Sequence, residues 1–184
     1  LTLDAGSLLN AGGSIAHAGS GQLSIDVDGQ LDNSAGSIAS NGALQIITGG
    51  AFTNAAGSVS AAGNTSLQAQ SLDNRGGTLA ADTVDITLTQ ALLNTGGALQ
   101  ASGGLTVHAD TLTNGTGQIK ALGSDALSLY ITHGLSNAAS GFIAGNGAVN
   151  LFAGSVVNAG QIYTAGDLVV TSGGALDNRS GALQ

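Results

Sequence analysis

In GGLTVHAD, residues 103–110, Leu105, Val107 and Ala109 alternate with Thr106, His108 and Asp110. A period of two puts the apolar set on one face and the polar set on the other, the pattern of a half-buried strand. A second, shorter alternation appears at Ser14-Ile15-Ala16, Ser37-Ile38-Ala39 and Thr78-Leu79-Ala80. Between the two lies a turn with its own signature: an apolar residue, an asparagine two positions on, then a glycine. It reads LLNAGGSI from Leu8, LDNSAGSI from Leu31, FTNAAGSV from Phe52, LDNRGGTL from Leu72 and LLNTGGAL from Leu92. It continues as LTNGTGQI from Leu112, LSNAASGFI from Leu135, VVNAGQI from Val156 and LDNRSGAL from Leu176. The asparagines are Asn10, Asn33, Asn54, Asn74, Asn94, Asn114, Asn137, Asn158 and Asn178, spaced by 23, 21, 20, 20, 20, 23, 21 and 20 residues.

A repeat of this length holds two or three short strands and cannot bury its own apolar face. Stacked copies can. It is too short for a four-stranded propeller blade, which takes ~40 residues. Helices are disfavoured by 31 glycines and by abundant Thr, Ser and Asn. The pattern therefore predicts an all-β parallel β-helix, a solenoid of about eight to nine coils of 20–23 residues. Residues 1–184 read as a single β-helical segment with no linker or shift of composition. The chain has no Met and opens and closes in mid-repeat, so the expectation is a segment of a longer filament.

Stacking gives the asparagines a job. Equivalent positions in successive coils lie ~4.8 Å apart, so the nine can hydrogen-bond amide to amide along the axis. The nearby glycine is expected to supply the positive φ of a tight corner.

Composition narrows the function. Net charge is −8, with only Arg75, Lys120 and Arg179 basic. Nucleic acid needs a basic footprint, so nucleic acid, other polyanions and anionic membranes are excluded as main partners. No apolar run is long enough to cross a membrane as a helix. Cys and Pro are both absent. The first suits a chain that crosses a membrane unfolded, and the second suits a stack in which nearly every backbone N–H is used.

Chemistry-bearing residues are few. Asp26 and Asp28 precede Gly29 as the start of a calcium loop would, but an EF-hand needs a Glu at its twelfth position, where Ser37 stands. They read as a solvated strand face, so no metal is expected, and no cofactor. His17, His108 and His133 do not share metal-ligand spacing. His17 falls in an inward column otherwise filled by Ser40, Ala61, Ala81, Ala101, Ala121, Gly145 and Thr164, which implies a widened first coil. T-x-T with an outward pair occurs only at Thr87 and Thr89, which excludes an ice-binding array. Of the sequons at Asn64, Asn114 and Asn178, only Asn64 is outward. The outward column of the alternating strand runs Asp26, Ile47, Gln68, Thr87, His108, Tyr130, Phe152, Thr171. His108, Tyr130 and Phe152 thus stand side by side, either as plain cross-strand stacking or as a contact patch for a sugar or protein. Tyr163 lies on another face.

The pattern L-x-N-x-x-G-x-[I/L]-x-A-x-G, clearest in LDNRGGTLAA, LLNTGGALQASGGLTVHAD and LDNSAGSIASNGALQI, resembles the filamentous haemagglutinin repeat over the full chain. The resemblance implies a right-handed β-helical filament, secreted or held at the cell surface of a Gram-negative bacterium. It also implies export through an outer-membrane partner transporter by two-partner secretion. The family includes adhesins and the filaments of contact-dependent growth inhibition toxins. The expected function is a structural stalk presenting a distal binding or toxic region. The alternative is that the segment itself binds a host-cell or target-bacterium receptor through its aromatic face. A β-helical polysaccharide-degrading enzyme is the remote third reading. Such enzymes set carboxylates on long loops over a groove, whereas these loops are short, so no catalytic residue is assigned.

Overall fold

The computed structural model describes residues 1–184. Twenty-five short strands and no helix build a parallel β-solenoid of about nine turns. One coil illustrates all. A five-residue strand, Leu105–Ala109, turns a corner into Thr111–Thr113. The asparagine turn follows, then Gln118–Ala121, and a loop returns the chain one coil further along. The first two strands join one sheet and the third a second sheet, and every pairing is parallel to the equivalent strand of the adjacent coil. Eight coil spacings of ~4.8 Å make a rod roughly 40 Å long.

The alternation fixes which side chains point in. Leu105, Val107 and Ala109 are at most 4% exposed, whereas His108 between them is exposed. Thirty-six buried apolar side chains form one continuous core, mostly Leu, Ile, Val and Ala, with Phe52 the largest. Each large side chain buried this way contributes ~1.5–3 kcal/mol. Thr65 is the exception in the inward file Leu23, Leu44, Thr65, Val84, Leu105. Its hydroxyl is buried and has no hydrogen-bond partner.

The recurring glycine is not there for positive φ. That conformation belongs to the residue before it: Gly12, Ala35, Ala56, Gly76, Gly96, Ser140 and Ser180 have φ of 53–68°. The glycine itself is required by close approach. A Cβ on Gly36, Gly57, Gly77, Gly97, Gly117, Gly141 or Gly181 would lie 1.9–2.4 Å from the asparagine carbonyl oxygen of the preceding coil. Only a residue without a side chain lets the coils close to strand-pairing distance here.

Irregularities are confined to loops and corners. Residues 18–22 and 122–126 form five-residue loops, where the equivalent loops 41–43, 102–104 and 146–148 have three. The first gives His17 its room. Its ring points inward at the first coil, and Nε2 is buried without a partner. A register shift between Ile131 and Gly134 inserts one extra residue into the long strand Leu127–Asn137.

Candidate functional site

The nine asparagines form one file along a corner of the core. Nδ2 of each donates to Oδ1 of the next in all eight steps, at 2.7–2.9 Å. The seven from Asn33 to Asn158 are at most 1% exposed, and the terminal Asn10 and Asn178 are less covered. Nδ2 also reaches backbone: Asn74 contacts Gly77 O in its own coil and Ala98 O in the next, both at 3.3 Å. The amide thus satisfies turn carbonyls that burial would otherwise leave unpaired. Every bond in the file runs the same way, from earlier coil to later.

Strand register places Thr87, His108, Tyr130, Phe152 and Thr171 in one outward file on the first sheet. The His108 and Tyr130 rings stack at 4.6 Å with 10° between planes, and Tyr130 and Phe152 at 5.2 Å with 3°. Their faces are turned toward one another, so solvent meets ring edges. This changes what the patch can do: a sugar cannot lie flat on the face of Tyr130, because both faces are occupied.

Beside the stack, in the corner between the two strands of this sheet, runs an open groove of about 640 Å³. Backbone of Ala109, Ile131, Ala153 and Gly154 lies along it, the first three with their side chains turned into the core. Asp110 and Thr132 line it together with the ring edges. The inserted residue at the corner lets His133 reach back one coil, where Nδ1 meets Asp110 Oδ1 at 2.5 Å. Counting repeats from the asparagines does not reveal this pair, because the register shift falls between the two residues.

The remaining residues singled out from the sequence lie apart. Asp26 and Asp28 are exposed, and nowhere do three His, Cys, Asp or Glu side chains gather as a metal site. Asn64 is exposed, Asn114 is buried and Asn178 half-buried. Tyr163 stands on the second sheet, in the file Lys120, Ala144, Tyr163, and Lys120 Nζ lies 5.4 Å from the Phe142 ring centroid. Two turns carry an Asp-Asn-Arg sequence. The Arg179 guanidinium, hydrogen-bonded to Asp177, holds that carboxyl down at about 2. Arg75 lowers Asp73 in the same way, and the bond from Ser34 lowers Asp32.

The family model for the haemagglutinin repeat matches residues 1–35, 20–96, 79–129 and 126–180. The chain belongs to the haemagglutinin repeat family. No curated protein and no solved structure matches it. The haemagglutinin repeat family is structural and adhesin-type, and the four matches run through the widened loops and the corner insertion without a gap. The irregular coils are therefore haemagglutinin repeats too, decorated at their corners.

Proposed function

We propose that this chain is a stalk segment of a secreted, surface-displayed filamentous exoprotein, holding a distal binding or toxic region away from the cell. The observation that carries the reading is the unbroken asparagine file. Eight amide-to-amide hydrogen bonds in series, seven of them buried and the amides from Asn33 to Asn137 each tied to backbone of two coils, stiffen a rod whose core is continuous from end to end. Export through an outer-membrane partner transporter fits a chain with no cysteine to cross-link before it folds. In this reading the chain performs no catalysis and carries no cofactor. Fluorescently labelled residues 1–184 should show no saturable binding to host cells or to bacteria, while small-angle scattering reports a rod ~40 Å long. Saturable binding would refute a purely passive stalk.

A second reading has its own support. The stack of His108, Tyr130 and Phe152, with a groove along its flank, makes the segment an adhesive module in its own right. A folded Tyr130→Ala/Phe152→Ala variant that loses cell binding would locate the contact. Binding unchanged in the variant would sink this reading.

A further inference from the structure

We infer that the corner groove beside the ring stack binds an uncharged, linear oligosaccharide lying along the solenoid axis. The inference rests on the second reading above and names its ligand class.

Shape comes first. The groove extends from Leu88 and Thr89 to Thr171, so it crosses about four coil spacings, a trough of roughly 20 Å. It is long, open and parallel to the axis, which suits an extended chain rather than a compact ligand. Hydrogen-bonding capacity comes second. The Tyr130 phenol, the Thr132 hydroxyl and the second carboxylate oxygen of Asp110 make no hydrogen bond within the protein, while Asp110 Oδ1 is held by His133. These groups donate and accept side by side, which is what a row of ligand hydroxyls requires. The floor between them carries no protruding side chain and no charge, because Ala109, Ile131 and Ala153 turn theirs into the core, so a sugar ring can settle between the hydroxyls.

Other occupants fit less well, for reasons on the same surface. An extended peptide gains affinity by adding a strand to a free sheet edge. The flank has no such edge, because its N–H and C=O groups bond to the coils above and below, within a total of 130 backbone–backbone bonds. A sulfated or phosphorylated chain needs cations, and no Lys or Arg lines the groove. A cationic ligand would seek ring faces, but the internal faces of the stack are turned to one another. Asp110, the only acidic residue in the lining, already faces His133.

The site depends on the corner insertion. Without the extra residue between Ile131 and Gly134, His133 would not reach Asp110 to fix one side of the trough. The three successive 20-residue coils from Asn54 to Asn114 have neither insertion nor pair.

Isothermal titration of residues 1–184 against neutral linear tetrasaccharides of glucose, N-acetylglucosamine, galactose and mannose tests the inference. A heparin tetrasaccharide and spermine serve as charged comparators. At least one neutral chain should bind saturably. Its affinity should fall about tenfold or more in Asp110→Ala/Thr132→Ala, as loss of hydrogen bonds to the ligand requires. That variant changes only surface groups, and an unchanged melting midpoint would verify its fold. No neutral binding, tighter binding of heparin or spermine, or unchanged affinity in the variant would overturn the inference. If cell binding is lost in Tyr130→Ala/Phe152→Ala yet no neutral tetrasaccharide binds or competes, the adhesive reading stands and the oligosaccharide inference falls.

Discussion

Residues 10–121 and residues 122–169 share one core and one ladder but differ in what they show to solvent. Between Leu9 and Leu122 no large hydrophobic side chain is exposed, whereas Leu122, Tyr130, Val157, Tyr163 and Val169 all are. The first stretch contains the three successive 20-residue coils, and the second contains the five-residue loop 122–126 and the corner insertion. The interior of a solenoid is constrained by both neighbours at every step, so it tolerates little variation. Loops and outward side chains are held less tightly, so departures collect there. Regularity marks what the rod needs to stand, and irregularity marks where a surface can acquire a use.

Glycine substitutions give the sharpest contrast. Gly97→Ala drives a Cβ to 2.0 Å from Asn74 O, and backbone on both sides cannot yield. We expect a loss of ~3 kcal/mol or more by urea denaturation. Gly134→Ala meets only Ser155 Oγ at 3.6 Å and should be nearly neutral. Equal costs would erase the distinction between constrained turn and free corner. Next in size, Asn74→Ala and Asn137→Ala should each cost ~1–3 kcal/mol, since each strands buried donors and acceptors. Similar values in the two stretches would show that the ladder ignores surface decoration. Unchanged melting midpoints in both would remove it as a stabilising element.

Smaller effects probe single sites. Thr65→Val replaces a buried hydroxyl that lacks a partner and should raise stability by ~1 kcal/mol. A loss there would mean that the hydroxyl is satisfied in solution. Tyr130→Ala removes both ring contacts and should cost only ~0.4–2 kcal/mol, without changing the sheet signal in circular dichroism. Least of all is the effect of acid. The carboxyls of Asp73 and Asp177 titrate below their ordinary 3.8 in the folded chain, Asp177 at about 2. Their contribution is complete above that ordinary value and is lost as pH falls toward 2. Both pairs are surface pairs screened by solvent, and the ladder amides do not titrate. A thermal melt should therefore shift only slightly between pH 7 and pH 3, whereas a collapse in that window would point to a carboxylate inside the fold.

The parallel solenoid could be read in the sequence because two periods coincide there. Alternation names the inward face, and asparagine spacing sets the register between coils. Together they align files such as His108, Tyr130 and Phe152 by counting alone. Counting failed where two constraints share adjacent residues. In Gly76-Gly77 or Gly96-Gly97 the first glycine answers to φ and the second to a neighbouring coil, and no local pattern tells them apart. Ala35-Gly36 and Ala56-Gly57 hold the key, since alanine tolerates the left-handed conformation at a cost of ~1–2 kcal/mol but nothing larger than hydrogen fits the second position. The Asp110–His133 pair was hidden for another reason: an insertion moves a side chain to a partner that its register does not name.

The asparagine file has a direction. Each Oδ1 accepts from the earlier coil and each Nδ2 donates to the later one, so the two ends of any such stack differ in kind. Rods built this way are vectors. Two of them can continue one another only nose to tail, because opposed noses would set oxygen against oxygen. Inserting or removing whole turns leaves both termini as they were. Reach therefore becomes a quantity adjustable in equal increments of ~4.8 Å, without redesign of whatever stands before or after.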